Sequence, residues 1–262
     1  MKLGLLRPAI VGATTFCLLL TAAQPATACT APVRMGTGQL EPYGYYDAQH
    51  RYTGLDADMV RAIMREAGCT LVELPLMPDG RNLLMFEKGQ VDLMAGASIT
   101  PERLKLARFS VPYREERVGL FALADGFDQY TAVDSFSEFL GLQLRMLAPR
   151  AGWYGEEFAR QVPWLRDHGR LSQFSDIAQG VRMLKAGRAP FMLGDAAGIE
   201  HAAARQGVKV RPLPFWVVDA PVHLMLSRAT LSEADVREID AAIARLERRG
   251  ALAAIRQAYG AS

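Results

Sequence analysis

The chain has 262 residues, half of them apolar, with 30 lysines and arginines against 28 acidic residues. That length carries a sizeable core in one domain or two. The near balance of charge, with no basic block interleaved with aromatics, excludes nucleic acid as a partner.

Lys2 and Arg7 precede an uncharged stretch, residues 8–28, that holds Phe16-Cys17-Leu18-Leu19-Leu20. A short charged start followed by an apolar run is the layout of a secretory signal. The run is too short to be read as a membrane span. Ala26 and Ala28 match the small-x-small cleavage pattern, so residues 1–28 are expected to be a signal peptide and the mature chain to begin at Cys29. An uncleaved anchor is the alternative. Removing Lys2 and Arg7 leaves 28 basic residues against 28 acidic ones. Cys17 leaves with the signal, and Cys29 and Cys69 remain as an even pair in an oxidising compartment, where they are expected to form a disulfide. The competing expectation is a lipid on Cys29, although Ala26 stands where lipoprotein signals carry Leu.

From Val33 short strands alternate with amphipathic helices, the pattern of α/β layers with mostly parallel sheets. A strand at 33–36 leads into the turn-rich Glu41-Pro42-Tyr43-Gly44. A helix over 56–67 carries Met59, Val60, Ile63 and Met64 on one stripe and stops at Gly68. Strands are expected at 71–76 and 91–94, with a short helix at 82–87 between them. Thr100-Pro101 opens another helix, with Thr as N-cap and Pro in the first helical position. After a strand at 118–122, Asp125-Gly126-Phe127-Asp128 reads as a boundary. The second series is strand 142–147, helix 153–160, helix 175–186, strand 191–193, helix 196–205 and strand 208–213. A strand-like run at 215–226 precedes helices at 232–248 and 251–259. Two α/β halves joined by extended segments near 120–125 and 214–222 predict two lobes around a cleft, a common place for small-molecule sites.

His50, His168, His201 and His223 stand far apart, and none pairs with Cys or acids at metal-ligand spacing. There is no G-x-S-x-G elbow, H-E-x-x-H or Gly-rich phosphate loop. No metal, no cofactor and no catalytic residue are expected. Ser98-Ile99-Thr100-Pro101-Glu102-Arg103 places hydroxyls, helix-start amides and a guanidinium together, a set that suits a carboxylate. An ordinary capping segment with a solvated Arg103 fits the local chemistry equally. Asp195 ends an apolar strand, where ligands gather in open α/β sheets; it fits equally as the N-cap of the next helix.

Pro42-Tyr43-Gly44-Tyr45-Tyr46-Asp47, Tyr52-Thr53-Gly54-Leu55-Asp56-Ala57-Asp58, Lys88-Gly89-Gln90-Val91-Asp92, Ser98-Ile99-Thr100-Pro101-Glu102-Arg103 and Phe109-Ser110-Val111-Pro112-Tyr113 together resemble family 3 of the bacterial extracellular solute-binding proteins, the polar amino-acid receptors of ABC importers. The resemblance is strongest over 33–122 and weaker beyond. It implies a two-lobed periplasmic-binding-protein type II fold, each lobe a mostly parallel sheet flanked by helices, with a two-segment hinge. Lobe 1 is expected at 29–122 and 219–262, lobe 2 at 123–218. The resemblance also implies that Arg103 binds the α-carboxylate of an amino-acid-like ligand, that Asp195 binds its ammonium, and that Tyr43 packs on it. Gly96 and Ser98 are implied as further carboxylate contacts. In the second lobe Arg150-Ala151-Gly152 stands where the family often has R-G-[ST], so Arg150 and Gly152 are candidate contacts without the hydroxyl. Leu40 stands where a stacking aromatic is common. Arg81, Trp153 and Tyr154 are further candidates for the cleft wall. The implied protein is a periplasmic monomer that delivers its ligand to the membrane permease of an ABC importer. A cyclohexadienyl-type dehydratase and a ligand-sensing module for a membrane receptor are the alternatives.

Overall fold

A computed structural model of the chain describes residues 29–77 and 79–259; the predicted signal peptide lies outside them. The first lobe begins with β1 (Val33–Met35), a hairpin of β2 (Tyr45–Tyr46) and β3 (Tyr52–Thr53), and α1 (Leu55–Glu66). In α1, Met59, Val60, Ile63 and Met64 are all buried, and each contributes about 1.5–3 kcal/mol of apolar burial. Then come β4 (Leu71–Glu73), α2 (Asp79–Glu87), β5 (Leu93–Ala97), α3 (Pro101–Leu106) and β6 (Ala107–Phe109). The Thr100 hydroxyl caps α3 by accepting from the Arg103 N–H, as Thr followed by Pro predicts.

β7 (Arg114–Leu123) carries the chain into the second lobe. There follow α4 (Phe136–Gly141), β8 (Met146–Pro149), α5 (Glu156–Asp167), β9 (Leu171–Phe174), α6 (Ile177–Lys185), β10 (Phe191–Asp195), α7 (Ala196–Arg205) and β11 (Val210–Pro212). β12 (Val218–Ser227) returns to the first lobe, which α8 (Glu233–Arg248) and α9 (Ala251–Ala258) complete. The strand expected at 142–147 forms later, because Leu142 closes α4 in helical conformation and Gln143 has φ 55°. α5 starts after position 153 because Gly152 and Gly155 both hold positive φ, and it runs on through Pro163.

In the first lobe β1 pairs in parallel with β4 and β5, and β12 runs antiparallel to β5. In the second, β8 pairs in parallel with β9 and β10, and β7 runs antiparallel to β10. β7 and β12 pair with each other from Arg114 opposite Val222 to Val118 opposite Val218. These two long strands are the hinge, and they join the lobe sheets into one order, β4-β1-β5-β12-β7-β10-β8-β9. Each lobe keeps its own core. Alternation along β10 sends Phe191 and Leu193 to one side of the second-lobe sheet and Met192 to the other. α1 and α8 pack over the first-lobe sheet through Ile63, Ile239 and Ile243. Cys29 and Cys69 form a disulfide that ties the start of β1 to the end of α1, with Cα atoms 5.1 Å apart.

Candidate functional site

The polar centre of the molecule lies where the hinge strands meet α1 and the loop before β2. Arg114, the first residue of β7, donates through Nε to Asp56 Oδ1 at 2.6 Å and through Nη2 to Asp56 Oδ2 at 2.9 Å. Both residues are buried, and the Tyr113 hydroxyl donates to Asp56 Oδ1 at 2.8 Å. The Arg114 guanidinium also covers the Tyr43 ring, 4.0 Å from its centroid, a cation–π contact shielded from water. Gly96 is required beside this pair. Its φ is +62°, and a Cβ there would stand 3.0 Å from Arg114 Nη2 and 3.2 Å from Asp56 Oδ2. The Gly96 amide, expected to face a carboxylate, donates to the Tyr113 hydroxyl at 2.8 Å.

Tyr43 reaches across the lobes, its hydroxyl donating to Asp195 Oδ2 at 2.9 Å. The other oxygen, Asp195 Oδ1, accepts from the Gly198 N–H at 2.7 Å and caps α7. Asp195 thus serves as an N-cap and also faces the first lobe. Burial raises its carboxyl above the usual range, against the opposing pull of the Gly198 amide, Arg114 and Tyr43. Two residues before Tyr43, Glu41 faces His201 Nε2 at 3.3 Å and bonds Arg205 Nη1, both on α7. A cavity of about 430 Å³ opens beside this contact, lined by Gln39, Leu40, Glu41, Asp176, Arg182 and Arg205 among others. Its walls hold none of Arg103, Glu116 or Asp195.

Arg103 is half-buried on α3 and donates through Nη1 to the Ser98 carbonyl at 2.8 Å. Burial lowers its pKa, with the negative charge of Glu116 acting the other way. Glu116 lies on β7 two residues after Arg114, and strand alternation puts both on one face while Glu115 and Arg117 point outward. Burial pushes the Glu116 carboxyl up to about 7; Arg114 and Arg103 oppose the shift, and Asp195 and Asp56 add to it.

The structure therefore joins Tyr43 with Asp195, and Arg103 with the Ser98 carbonyl. Arg150 is exposed on the loop after β8, its N–H donating to the Phe174 carbonyl at 3.0 Å, and Gly152 is exposed beside it. Trp153 and Tyr154 pack against the second-lobe core, and Arg81 is exposed on α2. Asp56, Arg114 and Glu116 are the cleft residues that sequence reasoning passes over. Asp56 stands at an expected helix start, and Arg114-Glu115-Glu116-Arg117 lies outside every motif and expected element. The one available signal is the two-residue alternation that sets Arg114 and Glu116 on the same side.

The profile of the bacterial extracellular solute-binding proteins, family 3, matches residues 33–262. An amino-acid-binding protein of Dichelobacter nodosus is 28% identical over 170 residues, 64% of this chain and 63% of its own length. A cyclohexadienyl dehydratase of Pseudomonas aeruginosa is 35% identical over 79 residues, 29% of each chain. Among solved structures, an ancestral arginine-binding protein bound to arginine superposes with a TM-score of 0.71 at 20% identity, covering 87% of this chain and 97% of that one. At that identity the likeness is one of fold.

Proposed function

The chain belongs to the bacterial extracellular solute-binding proteins of family 3, and on that premise we propose that it captures an amino acid or a related small carboxylate reversibly between its lobes. Arg103 carries this reading. Its guanidinium is half-buried in the cleft and, among the described residues, bonds only the Ser98 carbonyl. Its remaining N–H groups are available to a carboxylate, and a guanidinium fork meets both oxygens of such a group at once. Asp195 stands across the cleft, where it takes the ligand's ammonium, and Tyr43, on the same lobe as Arg103, packs on its apolar body. The ligand then touches both lobes, and only contacts made better in the closed form shift the lobes toward closure.

We divide the chain as its sequence suggests, 29–122 with 219–262 and 123–218, and assign residues 1–28 as a cleaved signal. The mature protein works in the periplasm as a monomer and delivers its ligand to the permease of an ABC importer. It catalyses no reaction in this reading. A thermal-shift screen of amino acids, opines, polyamines and small organic acids tests it, because a ligand that binds the native state raises the melting temperature by mass action. Isothermal titration of the best ligand follows. Arg103→Ala and Asp195→Ala are each expected to lower its affinity by at least tenfold, since a buried charge-assisted hydrogen bond contributes about 1.5–3 kcal/mol. Unchanged affinity in both variants rejects the site.

A second reading is supported by Glu116, whose value of about 7 matches a general acid working at neutral pH, and by the dehydratase similarity. Turnover of prephenate or arogenate by the purified protein, lost in Glu116→Gln, would establish it in place of transport.

A further inference from the structure

The carboxylates of the cleft are not equally available to a ligand. Asp56 is occupied on both oxygens by Arg114 and also accepts from Tyr113. Asp195 accepts one bond on each oxygen, from Tyr43 and from Gly198, and its remaining lone pairs are those assigned above to the ligand's ammonium. The Glu116 carboxylate makes no hydrogen bond or ion pair among the described residues, yet it lies on the inward face of the hinge strand, whose backbone pairs here with Ala220 of β12. One face of the Tyr43 ring is also closed to a cationic side chain, because the Arg114 guanidinium sits on it.

From this arrangement we propose that Glu116 determines ligand specificity by selecting charge: it receives the cationic side chain of a basic amino acid whose carboxylate is held by Arg103. The proposal rests on the amino-acid reading of the cleft given above. Charge balance supports it. Arg103 and Arg114 face three carboxyls, Asp56, Asp195 and Glu116, so the fully ionised site carries one excess negative charge, and an uncompensated charge is costly to bury. A neutral amino acid brings a carboxylate and an ammonium and leaves that excess. A basic amino acid brings one more positive charge and cancels it. An acidic one deepens the imbalance.

Proton linkage follows. The charged groups facing Glu116 are Arg114 on its own strand, Asp56 on α1, Arg103 on α3 and Asp195 at the end of β10, and with burial leading they place its titration at about 7. A cationic side chain favours the carboxylate, so binding below that value must first expel the proton, and affinity rises with pH. A group that titrates at about 7 in the free cleft and is fully ionised in the complex gives about a tenfold gain in affinity between about pH 6 and pH 8.

Isothermal titration of the mature protein with L-arginine, L-glutamine and L-glutamate at those two pH values tests this, using wild type, Glu116→Gln and Glu116→Asp. L-arginine is expected to bind wild type most tightly, with about that tenfold gain, and L-glutamine with no gain. Glu116→Gln is expected to abolish both the gain and the preference for L-arginine, and Glu116→Asp to retain both in weaker form. L-arginine binding without pH dependence, or an unchanged preference in Glu116→Gln, overturns the proposal. L-glutamine or L-glutamate as the tighter ligand overturns charge selection and leaves the amino-acid reading standing. If none of the three binds at either pH, charge selection by Glu116 fails, and the ligand screen described above decides the amino-acid reading separately. The wild-type pH profile decides the matter even if a variant folds poorly.

Discussion

The Tyr43 hydroxyl donates to Asp195 Oδ2 at 2.9 Å from one lobe to the other. With Glu41 bound to Arg205 close by, it fastens a single loop of the first lobe to α7 of the second. Apparent affinity scales with the population of the binding-competent form, so a contact that favours closure strengthens capture. Tyr43→Phe keeps the ring beneath Arg114 and removes only this bond. Its expected cost is about 0.5–1.5 kcal/mol, read as a few-fold to tenfold loss of ligand affinity by titration calorimetry. Small-angle scattering of the unliganded variant is expected to show a larger radius of gyration. If neither quantity moves, the bond does not govern closure.

The Asp56–Arg114 pair leads to a prediction about stability. Arg114 and Asp56 side chains are 3% and 9% exposed, and removing either partner leaves the other charge buried alone. Asp56→Asn and Arg114→Met are each expected to cost about 3–5 kcal/mol in urea denaturation, whereas a paired apolar replacement of both recovers most of the loss. A single variant within 1 kcal/mol of wild type, an error-sized change for such measurements, would show that water reaches the pair.

Much of the fold is legible in local pattern. The stripe on α1, the matching stripe of Val236, Ile239, Ile243 and Leu246 on α8, and the Thr100 cap are written within single elements. α4 and β9 fall in stretches with weak periodicity, and β8 shifts because Gln143 takes a left-handed conformation that its residue type does not announce. Arg103, Asp195 and Tyr43 are legible as candidates because the family pattern carries each of them. Arg114 and Asp56 are 58 positions apart, and Tyr43 and Asp195 are 152 apart. Which partner each one finds is decided by tertiary packing, with Asp195 set by the pairing of β10 with β7 and Asp56 by the seating of α1, and this leaves no local trace.

The Cys29–Cys69 disulfide closes a span of 40 residues. In the chain-entropy treatment a loop of that size contributes about 3–4 kcal/mol, so reduction is expected to move the urea midpoint down with little change in cooperativity. Pairing also occupies the Cys29 sulfur that lipidation would require. Intact mass of the exported protein is expected to show the loss of two hydrogens and no diacylglyceryl adduct; a lipid-sized gain would reverse the assignment.

The last prediction concerns pH and follows from Glu116. Its carboxyl ordinarily titrates at 4.5 and in the folded cleft at about 7. Below the lower value both folded and unfolded chains hold the proton, and the group contributes no pH dependence. Between the two values the unfolded chain has released the proton while the folded chain retains it. The folded state therefore binds more protons, and stability falls as pH rises, by up to about 1.4 kcal/mol per pH unit. Asp195 and Asp240, also raised by burial, act in the same sense. The unliganded protein is expected to melt highest near the acid end of this window and progressively lower toward its upper end, with a shallower fall in Glu116→Gln. Saturating L-arginine should remove the Glu116 part of the slope, because in that complex the carboxylate is ionised throughout the window and has no proton left to lose. Differential scanning calorimetry across the window, with and without the ligand, measures both slopes on the same protein. A slope in the unliganded protein that Glu116→Gln leaves unchanged would place Glu116 in water and outside the cleft's electrostatics.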